Sequence, residues 1–386
     1  MVYSNIEDLR QAARRRLPRM FFDYLDGGAF GEHTLSWNKT DFDDWWLEQE
    51  IMVDISRRRL ASRFLGADHE LPLMLGPVGF AGMFWPRGER CAAQAAEAAG
   101  IPMCLSTFSI DSLEQVAPAL PNRLALQLYV FRDRRLAEEM IDRALASGVH
   151  TLFLTADTDV SSIRERDTRN GFRTASHLNL RALLDMASRP GWCLRMASAG
   201  IPQLGNVKNH PDLPSNLMSQ AAYLSGNVDP SMSWKDLQWL RDRWPGKLVL
   251  KGVLSTRDAD RALAAKVDAI VVSNHGGRQL DGARSSISAL PEIAEFVNGR
   301  TEILFDSGIR RGSQIVKALA LGADAVMLGR AYAYGLAAKG RAGVAEAITL
   351  LETEMEITLA LMGVTSIDQL KENRRSLIHR RQPACR

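Results

Sequence analysis

Apolar residues along this chain come in short unbroken runs and do not alternate with polar ones. "LPLMLGP" near residue 73, "IPMCLST" near 101, "LALQLYV" near 124 and "TLFLTAD" near 151 form a first series. After a gap, "KLVLKG" near 247, "AIVVSN" near 269, "EILFDSG" near 302 and "AVMLGR" near 325 form a second. Runs of this length and character predict strands buried on both faces. Between most of them the period changes to that of a helix. In "DRRLAEEMIDRALASG" a stripe of Leu136, Met140, Ala144 and Leu145 is followed by Gly148 as a stop. In "RGSQIVKALALGAD", Gly322 has the same role.

Eight strands alternating with helices, roughly 25 residues apart, predict an α/β fold closed as a (β/α)8 TIM barrel. A doubly wound open sheet would also alternate, but eight units over about 250 residues favour closure. The barrel is expected over residues 73–158 and 247–365 of a single domain. Residues 1–72 are read as an N-terminal helical segment and 366–386 as a C-terminal tail. Residues 159–246, too long for one crossover, are read as an insertion after the fourth strand.

Composition narrows the class without naming it. With 46% apolar and 24% charged residues, the 386-residue chain has the make-up of a soluble globular protein. A net charge of +3, with no basic block interleaved with aromatics, argues against nucleic acid as a partner. Cys91, Cys104, Cys193 and Cys385 show no CxxC spacing, which predicts a reducing compartment and no metal site. "MVYSNIEDLRQAARRRLPRM" lacks the apolar core of a signal peptide, and no run reaches 18 apolar residues. The expectation is a cytoplasmic protein able to adhere peripherally to the inner membrane.

Barrel enzymes carry their chemistry at the C-terminal ends of the strands. Here those ends hold Pro77 and Gly79, Ser106, Gln127 and Tyr129, Thr155 and Asp157, Lys251, Ser273 and His275, Asp306, then Gly329 and Arg330. In "FDSGIRRG" and "LGRAY", Gly308 and Gly329 would admit a ligand to the backbone, and Arg310 and Arg330 add charge. That is where this fold usually holds phosphate; turn glycines with solvated arginines are the plainer reading. Lys251 fits a Schiff base, a cation facing negative charge on a cofactor, or a snorkelling lysine at the core edge. In "SNHGGRQLDG", His275 and Arg278 suit a general base beside a carboxylate anchor, with Asp157 to stabilise the imidazolium.

That stretch resembles the signature of the FMN-dependent (S)-2-hydroxy acid oxidase and dehydrogenase family. The resemblance runs from "LPRMFFDYLDGGA" to about residue 365 through "LPLMLGPVGFAG", "LSTFS", "LQLYV", "LTADT", "RERDTRNGF", "KGVLS" and "FDSGIRRGSQIVKALALGADAVMLGR". It implies FMN as cofactor, His275 as the base and Asp157 as its partner. It implies that Arg278 and Arg164 bind the substrate carboxylate, helped by Tyr24 and Tyr129. Lys251 would face the N1/O2 side of the isoalloxazine, and the Schiff-base reading then falls. Pro77, Val78, Gly79, Ser106, Gln127, Thr155 and Ser273 would line the flavin and its ribityl chain. Asp306, Gly308, Arg310, Gly329 and Arg330 would hold ribityl and phosphate. Gly276 and Gly277 would relieve crowding beside the flavin, and the assembly would be a homotetramer.

Within the family, Gly79 stands where oxidases usually carry alanine, which favours a dehydrogenase using a quinone or another acceptor in place of oxygen. The stretch 177–215 resembles the membrane-docking segment of the mandelate and lactate dehydrogenases. It mixes Leu183, Leu184, Met186, Trp192, Leu194, Met196 and Ile201 with Arg189 and Arg195. A loop packed on a neighbouring subunit or on the barrel mouth is the other reading of that segment. Phe108 and Phe80 imply an apolar pocket for a mandelate-like acid or a longer aliphatic one. Lactate, or an oxidase reducing O2 to H2O2, is the alternative. Ser162 and Ile163 before Arg164 depart from the family pattern, which bears on specificity, and Lys266 replaces a glycine before the sixth strand.

Overall fold

Eight parallel strands close on themselves in chain order. They are β1 (Leu73–Leu75), β2 (Met103–Ser106), β3 (Leu124–Leu128), β4 (Thr151–Thr155), β5 (Lys247–Val253), β6 (Ala269–Val272), β7 (Glu302–Phe305) and β8 (Ala325–Leu328). β8 returns to β1 with Val326 opposite Leu73, so the sheet has no edge. This computed structural model describes residues 2–172, 180–207, 213–214 and 216–381; Cys385, the end of the tail and parts of the stretch 177–215 lie outside the described residues.

The unbroken apolar runs arise because each strand faces side chains on both sides. Met74, Cys104, Phe153, Val249, Val271, Leu304 and Met327 point into the barrel, where they meet Phe64. Leu73, Leu75, Met103, Leu105, Leu152 and Leu154 point out, onto the helices. Each fully buried side chain of this size contributes about 1.5–3 kcal/mol. The helix Arg134–Ala146 starts at Asp133, whose side chain accepts from the amide of Arg135. It buries Leu136, Ala137, Met140, Ile141 and Ala144. Leu145, expected in that stripe, is 39% exposed instead.

Phe64 comes from a hairpin, Ser62–Phe64 paired with Ala67–His69, which closes the N-terminal ends of the strands. The amide of Leu65 donates to Glu302 at the start of β7, at 2.6 Å. Residues 1–72 are therefore not helical throughout. Their helices Ile6–Arg16, Arg19–Asp26 and His33–Thr40 come first, then this hairpin. The tail is also tied down, because Ile378–Arg380 pairs antiparallel with Trp45–Leu47.

The second N-terminal helix lies over the opposite, C-terminal end of the barrel. Asp26 at its end accepts from Arg10 at 2.6 Å, from Tyr334 at 2.7 Å and from Arg166 at 3.0 Å. Those bonds join the N-terminal segment, the last barrel helix and the insertion. Asn38 and Asn274 exchange side-chain amide hydrogen bonds at 2.8 and 2.7 Å, fastening the third helix to the loop after β6.

The insertion contributes the helices Glu165–Asn170, Leu180–Ala187, Pro190–Ala197, Leu217–Gly226 and Trp234–Arg243. Leu180, Leu183, Leu184, Leu194 and Ile201 are exposed there. Trp192 faces inward, stacking on Phe21 at 5.3 Å and donating its indole N–H to the carbonyl of Met83 at 2.9 Å. Met186 and Met196 also pack on the core. Among the described residues no helix is long and apolar enough to cross a membrane.

Candidate active site

The strand ends open into a cavity of about 1290 Å³, solvent at its mouth included. His275 stands in its wall with a left-handed backbone, φ +58°. Such a conformation costs a non-glycine residue on the order of 1–3 kcal/mol and persists only where its surroundings impose it. Here the His275 amide donates to Ser273 Oγ at 3.1 Å and the ring Nδ1 meets Asp157 Oδ1 at 2.9 Å. With Asp157 holding Nδ1, the remaining ring nitrogen, Nε2, is the one available to take a proton. Burial holds the imidazole below its ordinary value, with Asp157 pulling the other way. Burial opposes charge on Asp157 too, but His275 and Lys251 outweigh it and keep the carboxyl below its usual range. The pair is therefore a neutral base against a permanent carboxylate.

Lys251 ends the regular part of β5 with its Nζ 2.8 Å from Ser273 Oγ and 3.0 Å from Asp306 Oδ2. Burial works against its charge, yet Asp306 and Asp157 prevail and raise it above the ordinary lysine value. A lysine so held is a fixed cation and a poor amine nucleophile, which speaks against Schiff-base chemistry.

The anion-binding side is built on Tyr24. The Arg278 guanidinium lies 4.8 Å from the Tyr24 ring centroid, and the Arg164 guanidinium lies 5.9 Å from it. Arg278 is steered by donating to the carbonyls of Tyr24 and Gly27 at 2.6 and 2.9 Å. Tyr129 faces the same space, and burial together with Asp157 pushes its phenol up to about 12, so it is a proton donor at neutral pH. Two guanidinium groups and a phenol suit a carboxylate.

A flavin-sized group fits the inner wall. Gln127 Nε2 and Thr155 Oγ1 are buried there without a hydrogen-bond partner among the described residues. Buried polar atoms rarely lack partners in a complete site. They suit the polar edge of a planar heterocycle. Beyond them, Arg310 and Arg330 carry positive charge toward the ends of β7 and β8. A Cβ on Gly329 would meet nothing within 4 Å, so the backbone there is open to a ligand. Gly308 differs, since its Cβ would fall 1.8 Å from the carbonyl of Asn38, and its lack of a side chain serves that packing.

The structure brings the expected residues together. Tyr24, Pro77, Val78, Gly79, Ser106, Phe108, Gln127, Tyr129, Thr155, Arg164, Lys251, His275, Arg278, Asp306, Gly308, Arg310, Gly329 and Arg330 line one cavity, as does Phe80. Asp157 and Ser273 stand behind it, bonded to His275 and Lys251. Two details go beyond the expectation. Arg330 donates to the carbonyls of Leu25, Gly276 and Gly27, which makes it a strap across the N-terminal helix. Burial, with Arg278 and Arg310 nearby, lowers it to about 10. Gly276 and Gly277 make room for the protein itself, since added Cβ atoms would lie 2.7 Å from Arg330 and 2.6 Å from the Leu35 amide nitrogen.

Sequence reasoning missed Thr158, Ser161, Ser225, Val228 and Gln279, which complete the outer wall. No strand end announces them. It also missed Glu89, whose carboxylate accepts from the amides of Gly82 and Ile110 at 3.1 and 2.9 Å and so ties the loops after β1 and β2. Among the described residues no cluster of side chains is arranged to hold a metal.

The profile of the family described as FMN-dependent dehydrogenase matches residues 13–377. An L-lactate dehydrogenase of Xanthomonas oryzae is 45% identical over 383 residues, 99% of this chain and 98% of that protein. The crystal structure of a monotopic membrane protein, (S)-mandelate dehydrogenase, superimposes with a TM-score of 0.93 at 43% identity, over 98% of this chain and 100% of that one. A mandelate oxidase structure matches with a TM-score of 0.82 at 33% identity, over 96% and 97%.

Proposed function

The chain belongs to the FMN-dependent dehydrogenase family, and from that premise we propose that it oxidises an (S)-2-hydroxy acid to the 2-oxo acid and passes the electrons to a quinone or another acceptor that is not oxygen. The observation that carries this reading is the His275–Asp157 pair facing the same cavity as Arg164 and Arg278. A 2-hydroxy acid presents a proton to remove and a carboxylate to hold, and these groups answer both needs.

Bound FMN supplies the two-electron acceptor. Gln127 and Thr155 would meet its heterocycle, Lys251 its negative charge, and Arg310 its phosphate. Arg278 and Arg164 grip the substrate carboxylate and fix the α-carbon beside His275. His275 Nε2 takes a proton, whether from that carbon or from the hydroxyl. The imidazolium so formed is stabilised by Asp157, whose carboxylate is already ionised. General-base assistance of this kind is typically worth 10²–10⁴-fold.

Phe80, Phe108 and Val228 give the pocket apolar walls, which favours a mandelate-like or similarly apolar side chain. L-Lactate is the second reading, favoured by the identity with L-lactate dehydrogenases. For dehydrogenase over oxidase there are two supports. The dehydrogenases match this chain at higher identity than the mandelate oxidase does. A methyl on Gly79 would sit 3.1 Å from the Phe108 Cβ and 3.3 Å from the Tyr24 hydroxyl, tightening the substrate side of the cavity.

The exposed Leu180, Leu183, Leu184, Leu194 and Ile201 support peripheral docking on a membrane. A homotetramer belongs to the same proposal, and sedimentation of the purified protein measures it. Partition with anionic liposomes, lost on Leu194→Glu with Ile201→Glu, is the expected result for docking; partition unchanged by the pair contradicts it. The activity itself is tested anaerobically. An (S)-2-hydroxy acid should bleach the bound flavin, and a quinone analogue should restore its colour faster than oxygen does. A flavin that no 2-hydroxy acid bleaches contradicts the assignment.

A further inference from the structure

The insertion does not only face outward. Its helix Pro190–Ala197 sends Trp192 back onto the helix Arg19–Asp26, the one that carries Tyr24. The indole stacks on Phe21 at 5.3 Å and is fixed by its bond to the Met83 carbonyl. Phe21 meets Phe172 edge to face at 5.8 Å, and Phe172 meets the Tyr24 ring at 4.8 Å. Phe80 closes the group, 5.6 Å from Phe172 and 5.4 Å from Tyr24. Phe21, Phe80 and Phe172 are all buried. The rings form an unbroken packed path from the insertion to the wall of the cavity.

The insertion grips the same helix at three further points. Asp185 accepts from the amide of Arg19 at 2.5 Å, the Asn170 side-chain amide donates to Asp23, and Arg166 pairs with Asp26. What depends on the place of this helix is the carboxylate site. Tyr24 offers its ring to Arg278 and Arg164, and the carbonyls of Tyr24 and Gly27 steer Arg278. The base is anchored elsewhere, His275 being held by Asp157 and Ser273 beyond β4 and β6. Phe21 and Tyr24 are three residues apart and share a helix face. Truncating a ring in such a path opens a cavity into which its neighbours partly relax, so a change at Trp192 reaches Tyr24.

Resting on the activity proposed above, we propose that Trp192 is a positioning residue for that reaction. Through Phe21 and Phe172 it sets Tyr24, and with Tyr24 the guanidinium of Arg278, against the carboxylate of the (S)-2-hydroxy acid. The segment that exposes Leu194 and Ile201 on one side thus seats the substrate with the other.

The test uses the flavin-loaded full chain and reads binding separately from chemistry. Trp192→Ala should raise KM for the (S)-2-hydroxy acid by roughly tenfold, with kcat held within about twofold. The Kd of the 2-oxo acid product, titrated against the absorbance of the oxidised flavin, should rise by the same factor. The acid limb of kcat/KM should not move, because His275 keeps both its partners. Trp192→Phe, which leaves a ring on Phe21, should bring KM and Kd back near the wild-type values. Trp192→Leu, apolar but without a flat face, should weaken binding in the same direction, and it carries the test where the alanine variant does not fold. KM and Kd unchanged in a folded alanine or leucine variant overturn this inference and leave the activity standing. A fall in kcat with KM unchanged overturns it as well. A wild-type flavin that no (S)-2-hydroxy acid bleaches overturns the activity, and this inference with it.

Discussion

The two ends of the barrel use the same eight strands for opposite purposes. At the N-terminal end Phe64 enters an interior layer of Met74, Cys104, Phe153, Val249, Val271, Leu304 and Met327, every one at most 1% exposed. His69, stacked on Phe64 at 4.3 Å, is pushed by burial down to about 4 and stays uncharged. At the C-terminal end the same strands stop in Lys251, His275 and Asp306 around an open cavity. The difference teaches where each kind of energy resides: one end holds the fold, and the other holds charge that folding alone would not favour.

Substitutions at the two ends should therefore separate. The largest free-energy effect is expected from Phe64→Ala, at about 3–5 kcal/mol of stability lost. Denaturant unfolding measures it, and kcat/KM below the transition should stay near the wild-type value. A large kinetic loss without a stability loss would break the comparison.

Asp157→Asn comes next, with flavin reduction slowed on the order of 10²-fold. Its pH profile gives a sharper reading. In the wild type, kcat/KM should fall as pH drops through a value below that of an ordinary histidine, because protonating His275 removes the base. Asp157 raises the His275 value, so its loss should move this acid limb to still lower pH. A limb that shifts upward contradicts the pairing.

Arg278→Lys is the smallest of the three, with kcat/KM lowered by roughly tenfold and the loss mainly in KM. The ammonium keeps the charge but not the planar fork or the stacking on Tyr24. FMN content, measured by absorbance after gel filtration, should not change.

Much of this was legible in the sequence, for definable reasons. Strands buried on both faces leave unbroken apolar runs, and the polar residues that interrupt them are the strand ends, which is why Lys251, Ser273 and Asp306 could be picked out. Leu145 was misplaced because helix stripes drift: Ala137 and Ile141 take the buried face, and Leu145 turns outward. The hairpin 62–69 was hidden by strands of three residues, too short to show alternation. Trp192 read as membrane-facing from its neighbours, yet its N–H finds the carbonyl of Met83. The carbonyl bonds of Arg330 could not be read in advance, because its three partners come from segments far apart in sequence. Thr158 and Ser161 were silent because a loop carries no periodicity.

The central claim is that His275 is the base of a flavin-linked oxidation at the open end of the barrel. Stopped-flow absorbance of the flavin, under anaerobic conditions with saturating (S)-2-hydroxy acid, tests it in wild type and in His275→Ala. The variant should retain FMN while its flavin is reduced some 10²–10⁴-fold more slowly. Bleaching of the His275→Ala flavin at the wild-type rate would contradict it.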